Sequence, residues 1–169
     1  MNTEKSLPQY LESDVLIRFE DCDPFGHLNN GRYIDYFLNA REDQVRDNYG
    51  LDVYAHIKQS GNAWVVASNQ IAYLREVKFM EWVKIRTSLM HYGSANLITE
   101  GLMLDKDTGA VLAVIWSRFT YISMKTGQRA EHSPELMAIY KAVATEGEGK
   151  PNKYFEIRVK ELKESTPKI

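Results

Sequence analysis

Cysteine is almost missing from the chain. A single residue, Cys22, stands among 169, so no internal disulfide can form and a reducing compartment is the simplest setting. Positive charge is not in excess. Lys and Arg number 21 against 23 Asp and Glu, a formal net charge of −2, which gives a nucleic-acid partner no electrostatic basis. No apolar run approaches the ~20 residues of a membrane span. The N-terminal "MNTEKSLPQYLES" lacks the apolar centre of a secretory signal. The expectation is a cytoplasmic protein with no membrane span and no nucleic acid among its partners. Internal repeats and low-complexity segments are absent as well. What remains is ordinary globular composition, 44% hydrophobic and 26% charged, at a length that suits one domain with a real core.

Val15, Ile17 and Phe19 share one face at period two, which predicts a strand over 14–22. Pro24 and Gly26 break it. Asn29 or Asn30 is a good N-cap for a helix whose apolar residues, Tyr33, Ile34, Phe37, Leu38 and Val45, recur at helical spacing. Arg41, Glu42, Asp43 and Arg46 read as its solvated flank, and Gly50 as its stop. Residues 51–62 read as irregular or short-helical. Strand patterns follow to about 125: "AWVVASNQIAYLREV", the clearly alternating "VKIRTSLMHY", and "NLITEGLML" joined through the turn-rich "DKDTG" to "AVLAVIWSRFTYI". The last is apolar on both faces at its start and belongs inside the sheet. Ser133-Pro134 opens a second helix with stripe Leu136, Ile139, Tyr140 and Val143, ending by Gly147. In the lysine-rich remainder Phe155, Ile157 and Val159 alternate, which favours an added edge strand over a mobile tail.

The strands are too closely spaced for repeated crossover helices, so the fold class is α+β with a mainly antiparallel sheet. One long helix buries its stripe on that sheet. It cannot cover both faces, so the other needs the second helix, the tail or a partner subunit.

The chemistry concentrates in Glu20–Tyr33, "EDCDPFGHLNNGRY". As a calcium loop it fails: Phe25 and Arg32 stand at two ligand positions and no helix precedes it. As a zinc site it lacks a second cysteine pair or suitably spaced histidines. No metal or cofactor is expected. A lone Cys22 reads as a small hydrophobe before it reads as a nucleophile. A third reading places the Asp23 carboxylate at the N-terminus of a helix, whose free N–H groups polarise a carbonyl oxygen, with Gly26 admitting a ligand close to the backbone. That arrangement suits acyl transfer to water. On local grounds alone, a plain strand–turn–helix connection explains the stretch as well.

"IRFEDCDPFGHLNNGRYIDYF", Ile17 to Phe37, resembles the first-strand and helix-entry motif of the hot-dog-fold acyl-coenzyme A thioesterases, specifically the 4-hydroxybenzoyl-coenzyme A thioesterase-like group. The motif is an aromatic, a few polar residues, D-x-D-x-x-G-H-x-N and then an aromatic on the helix. The order of elements extends the resemblance to about residue 146, so a domain over 1–146 and an extension over 147–169 are expected. The resemblance implies a hot-dog fold, a five-stranded or slightly larger antiparallel sheet wrapped around a long central helix. It implies subunits paired edge to edge as a homodimer or homotetramer, with the active site at the interface. It implies hydrolysis of acyl-coenzyme A or acyl carrier protein thioesters, with Asp23 as nucleophile or general base. The oxyanion donors fall on backbone N–H groups near Asn29, Asn30 and Gly31, and His27 shapes the pocket or contacts the thioester. Tyr33 and Phe37 are expected to be core residues of the helix that also line the acyl pocket. Asp21 is expected to cap a backbone group or face solvent. Coenzyme phosphates would be met by basic residues among Arg75, Lys78, Lys84, Arg86, Arg118, Lys125 and Arg129. The chain departs from the family at "KFMEW", where a Gly-Asp turn is common. Two other readings are a hot-dog dehydratase, which "DCDPFGHLNN" matches poorly, and a non-catalytic acyl-thioester-binding protein.

Overall fold

The helix announced by the apolar stripe runs from Tyr33 to Tyr49 (α1) in the computed structural model, which describes residues 6–166. It buries Tyr33, Phe37, Ala40, Gln44 and Val45, one side of a 3.6-residue repeat. Gly50 ends it at φ 66°, its N–H turned back to the Arg46 carbonyl at 3.2 Å. A shorter helix comes next, Val53–Ser60 (α2), capped by the Asp52 side chain.

Five strands surround α1: Tyr10–Leu16 (β1), Asn62–Tyr73 (β2), Trp82–Tyr92 (β3), Asn96–Asp105 (β4) and Val111–Ser123 (β5). They pair antiparallel in the order β1-β3-β4-β5-β2, so β5 is interior, and β1 and β2 are edges. The β4–β5 turn is the expected one: Asp105 Oδ1 accepts from the N–H groups of Asp107 and Thr108, and Gly109 adopts φ 73°. The first strand lies earlier than its 14–22 pattern suggests. It ends at Leu16, and a single 3-10 turn, Phe19–Asp21, comes after it. Ile17 is fully buried while Phe19 is 74% exposed, so the period-two triplet crosses the end of the strand.

Pleating divides the sheet's side chains between two cores. Val83, Ile85, Met103, Ala113 and Ile115 meet α1 with Tyr33, Phe37 and Ala40. Leu102, Leu104, Val114 and Trp116 point the other way. The C-terminal segment covers this second face, and it does so as a helix, Phe155–Ser165 (α4), rather than as the edge strand its alternation favours. Phe155, Val159 and Leu162 fall at i, i+4 and i+7 and share the buried cluster, while Ile157 stays 48% exposed. Only Gly147–Glu148 (β6) adds strand, parallel to β3. Arg158 of α4 holds Glu100 of β4 by two bonds of 2.6 and 2.8 Å, and Trp116 Nε1 donates to the same carboxylate at 2.8 Å. All three groups are paired, so the charge is tolerated in this apolar face and fixes the register of α4. The remaining helix, Pro134–Val143 (α3), opens with the Ser133 cap and stops at Ala144, before Gly147. It packs Leu136, Tyr140 and Val143 at the far end of the sheet with Leu89 and Tyr121.

Gly101 sets how closely α1 approaches. A Cβ there would lie 2.7 Å from Phe37 Cδ1 and 2.9 Å from Ile115 Cγ2. Gly101→Ala must push the helix off the sheet, and a loss of about 1–3 kcal/mol is expected, read as a lowered denaturant midpoint with an unchanged slope.

Candidate active site

The segment between β1 and α1 is a closed turn built on Asp23. The Asp23 N–H donates to the His27 carbonyl at 2.8 Å, and the Gly26 N–H returns to the Asp23 carbonyl at 2.9 Å. The side chain secures the same turn from inside. Its Oδ1 accepts from the N–H groups of Phe25 at 2.9 Å and His27 at 3.2 Å. Gly26 takes φ 77°, a conformation that a side chain resists. Oδ2 of the half-buried Asp23 has no intrachain partner among the described residues. The carboxylate is therefore held in place by one oxygen and open at the other.

Asn29 caps the entry to the helix. Its side chain accepts from the Gly31 N–H at 2.9 Å and opens a 3-10 turn, Asn30–Arg32, that runs into α1. The helix begins slightly later than an Asn29 or Asn30 cap implies. Of the three backbone donors in question, Asn29 N–H is engaged with the Asp21 carbonyl at 2.9 Å and Gly31 N–H with the cap. Asn30 N–H is the one without an intrachain acceptor among the described residues.

Asp21 is tied off. Its Oδ2 accepts from the Tyr36 hydroxyl at 2.7 Å, and Arg32 stands 3.7 Å from Oδ1. It neither caps backbone nor simply faces water. Burial, and next to it the bond to Asp21, pushes the Tyr36 phenol up to about 12. Cys22 bonds weakly to the Arg18 carbonyl at 3.4 Å, and burial followed by the charges of Asp21 and Asp23 raises its pKa, the wrong direction for a thiolate nucleophile. Among the described residues no group of His, Cys, Asp and Glu is arranged to hold a metal.

His27 pairs with the β2–β3 loop. Its Nε2 lies 3.3 Å from Glu76, and the two segments bridge at His27 and Lys78. Glu76 is a neighbour that only the fold brings in. The departure at "KFMEW" keeps a left-handed turn without glycine: Met80 stands at φ 63° and its N–H donates to the Ile17 carbonyl at 2.9 Å. Phe19, Phe25, Phe79 and Met80 expose 74%, 84%, 48% and 60% of their surface around the turn, more apolar surface than water favours at one place. On the opposite flank the Tyr73 ring stands edge-on to Tyr33 at 4.9 Å, and its hydroxyl donates to the Asn30 carbonyl at 2.9 Å. Of the basic candidates, Arg75 and Lys78 belong to this loop. Lys84 and Arg86 are occupied with Glu12 of β1, and Arg118, Lys125 and Arg129 belong to β5 and the turn after it.

An apolar cavity of about 250 Å³ lies under the C-terminal half of α1. Leu38 and Val45 of α1, Trp64 and Val66 of β2, Phe119 of β5 and Tyr140 of α3 are among its walls. Tyr33 and Phe37 do not reach it; both are core residues at 2% exposure. Arg41 and Glu42 line it, so the expected solvated flank begins only at Asp43. The signal was present in the spacing: Phe37, Arg41 and Val45 repeat every four residues, which sets Arg41 in the apolar stripe.

The model of the thioesterase-like superfamily matches residues 17–139, which spans both the Asp23 turn and the whole sheet. The chain belongs to that superfamily. It is 24% identical over 139 residues to the long-chain acyl-CoA thioesterase FadM of Escherichia coli (strain K12), covering 82% of this chain and 92% of FadM. It is 33% identical over 105 residues to YsmA, an uncharacterized protein of Bacillus subtilis (strain 168), covering 59% of this chain and 68% of YsmA. A crystal structure from Lactobacillus plantarum, provisionally described as an oleoyl thioesterase, superposes with a TM-score of 0.75 at 26% identity. It covers 87% of this chain, which spans only 56% of that longer protein. The α+β hot-dog architecture expected from the sequence is the one observed, with β6 as a sixth strand.

Beside the cavity two histidines are set among aromatic rings. His132 Nδ1 faces the Gly93 carbonyl at 2.9 Å, and its Nε2 accepts from Trp64 Nε1 at 3.1 Å, so the ring is neutral. His56 Nε2 meets the Tyr121 hydroxyl at 2.6 Å. Burial lowers the pKa of both from the ordinary 6.5. Below that value the unfolded chain binds protons that the folded one refuses, so stability falls as pH drops through 6.5 towards the folded pKa values. Thermal melts between pH 7.5 and 5 should show this decline, and His132→Gln should be the less pH-sensitive protein over that window.

Proposed function

We propose that the protein hydrolyses acyl thioesters of coenzyme A, or of an acyl carrier protein, to the free acid and the thiol. The observation that carries this reading is the divided carboxylate of Asp23, anchored through Oδ1 and open at Oδ2 beside the entry to α1. Two routes fit it. In one, Oδ2 attacks the thioester carbonyl carbon, the C–S bond breaks, the thiolate leaves and takes a proton, and water hydrolyses the mixed anhydride. In the other, Oδ2 takes a proton from water as the water oxygen attacks the carbonyl carbon, the C–S bond breaks, and the departing thiolate receives that proton. In both, negative charge grows on the carbonyl oxygen, and the unengaged Asn30 N–H at a helix entry is the donor to meet it. A thiolate leaves readily, so no strong general acid is required. The name of FadM, an acyl-CoA thioesterase, agrees with this substrate class.

The working unit is a homodimer or a larger homo-oligomer. Its support is β2, an edge strand of 12 residues with Val65 at 38% and Val66 at 42% exposure. A long apolar edge invites pairing with another strand. Antiparallel pairing of β2 with its own copy sets the Tyr73 end of one subunit, with its Asp23 turn, beside the Trp64–Val66 end of the other, with its cavity. Light scattering at micromolar concentration should give at least the dimer mass; a monomer mass would exclude this arrangement.

Asp23→Asn keeps an amide oxygen for the N–H groups of Phe25 and His27, so the turn should persist and the melting temperature should stay close to wild type. Thiol release from acyl-coenzyme A should fall by about 10²–10⁴, roughly 3–5 kcal/mol of barrier. Asp21→Asn should cost far less. Near-normal turnover by the Asp23 variant would refute the assignment.

A further inference from the structure

The cavity under α1 has walls suited to an acyl chain and one occupant that such a chain leaves unexplained. Arg41 donates from Nη1 to Thr87 Oγ1 at 3.0 Å, and its guanidinium sits 5.8 Å over the Tyr49 ring. The Thr87 hydroxyl donates in turn to Gln44 Oε1 at 2.5 Å, and Gln44 Nε2 is spent on Ser13 Oγ and the Ile85 carbonyl. This chain of bonds fixes Arg41 but leaves most of the N–H donors of its guanidinium to spare. No carboxylate among the described residues pairs with it, although Glu42 lines the same cavity. Burial depresses its pKa, and the titratable groups nearest to it are the neutral phenols of Tyr49 and Tyr140. Tyr140 adds a second unanswered group, because its hydroxyl is buried with no hydrogen-bond partner. Arg41 and Tyr140 thus line a space whose other walls are mostly apolar, among them Leu38, Val45, Leu51, Val66 and Phe119, with Glu42 and Thr99 the polar exceptions.

An aliphatic end group would leave those donors unsolvated, which costs free energy. An oxyanion would pair the guanidinium in the forked geometry that arginine favours and remove its uncompensated charge. The size is limiting too. At about 250 Å³ the cavity suits a short acyl group.

We propose that this cavity receives the far end of a short acyl group and that Arg41, with the Tyr140 hydroxyl, selects acyl thioesters bearing a second carboxylate at the end remote from sulfur. The proposal rests on the thioesterase reading and adds to it a substrate class, short dicarboxylic half-thioesters.

Adipyl-coenzyme A and hexanoyl-coenzyme A have the same chain length and differ in that terminal carboxylate. Wild-type protein should favour the adipyl thioester by tenfold or more in kcat/KM, mainly through KM. Arg41→Met should reduce that ratio at least tenfold, and Arg41→Lys, which keeps the charge without the fork, should retain part of it. Titration calorimetry with free adipate and free hexanoate reads the same selectivity without any chemistry. Adipate should bind the wild type and Arg41→Lys more tightly than hexanoate does, and Tyr140→Phe should weaken adipate several-fold. If adipate binds in this Arg41-dependent manner while neither thioester is cleaved, the hydrolytic reading fails and the site stands. If both thioesters are cleaved alike and adipate binds no better than hexanoate, the cavity holds only water or alkyl chain and the proposal is overturned. Equal losses on both substrates in Arg41→Met and Arg41→Lys would overturn it as well.

Discussion

The seat of α1 on the sheet is the constraint on which the rest of the molecule depends. Phe37 lies where β4 has Gly101 in place of a side chain, in one core cluster with Ile115 of the next strand. Closeness here sets the depth of the whole helix. One turn earlier, Tyr33 is carried onto Tyr73 at the end of β2, and the entry to the helix is carried to the Asp23 turn. Further along, Gln44 reaches Ser13 of β1 and the Ile85 carbonyl of β3, a buried amide satisfied only at this distance. The same helix thus places the Asp23 turn at one end and roofs a cavity at the other.

The two aspartates of "DCD" show how local bonding divides labour between like groups. A straight strand would set Asp21 and Asp23 on one face. The 3-10 turn Phe19–Asp21 separates them instead. Asp21 is directed at α1 and consumed by Tyr36 and Arg32, so it serves as a strut between turn and helix. Asp23 gives one oxygen to its own backbone and keeps the other. A carboxylate held in this way loses little conformational freedom when it engages a ligand, which is the physical content of preorganisation.

Much of the architecture was legible because it is written in local patterns. The α1 stripe, the Asp105–Gly109 turn, the Ser133-Pro134 cap and the apolar β5 each obey a rule acting over a few residues, and each is in place. The C-terminal segment misled because Phe155, Ile157 and Val159 satisfy period two while Phe155, Val159 and Leu162 satisfy period 3.6. Only the bare outer face of the sheet, with Trp116 and Glu100 awaiting partners, decides between them. Arg41 misled for a related reason: a cation in a helix is normally solvated, and its place in the apolar stripe was outweighed by its charge. Glu76 could not be found from spacing at all. It meets His27 because the β2–β3 loop folds back on the turn, a contact between residues 49 apart.

The two edges of the sheet are unequal, and this bears on where a substrate would lie. The outer face is covered by α4, and β1 is short and laced with ion pairs from Glu12 and Asp14 to Lys84, Arg86 and Lys106, the charged dress of a protected edge. β2 has no such dress at Val65 and Val66. Its two ends hold the two halves of the proposed chemistry, Tyr73 touching the Asp23 turn and Trp64 and Val66 walling the cavity. From Tyr73 to Val66 is seven residues, about 23 Å of strand. The shorter way along α1 is filled by Phe37 on Gly101 and Ile115. A cavity of about 250 Å³ under the C-terminal half of α1 does not bridge such a gap. The proposed chemistry therefore asks the carboxylate of one subunit to work with the cavity of another. In the proposed dimer, a two-fold that pairs β2 with its copy would make them neighbours, so that exposed strand, open carboxylate oxygen and the guanidinium's spare donors would meet their partners in one assembly.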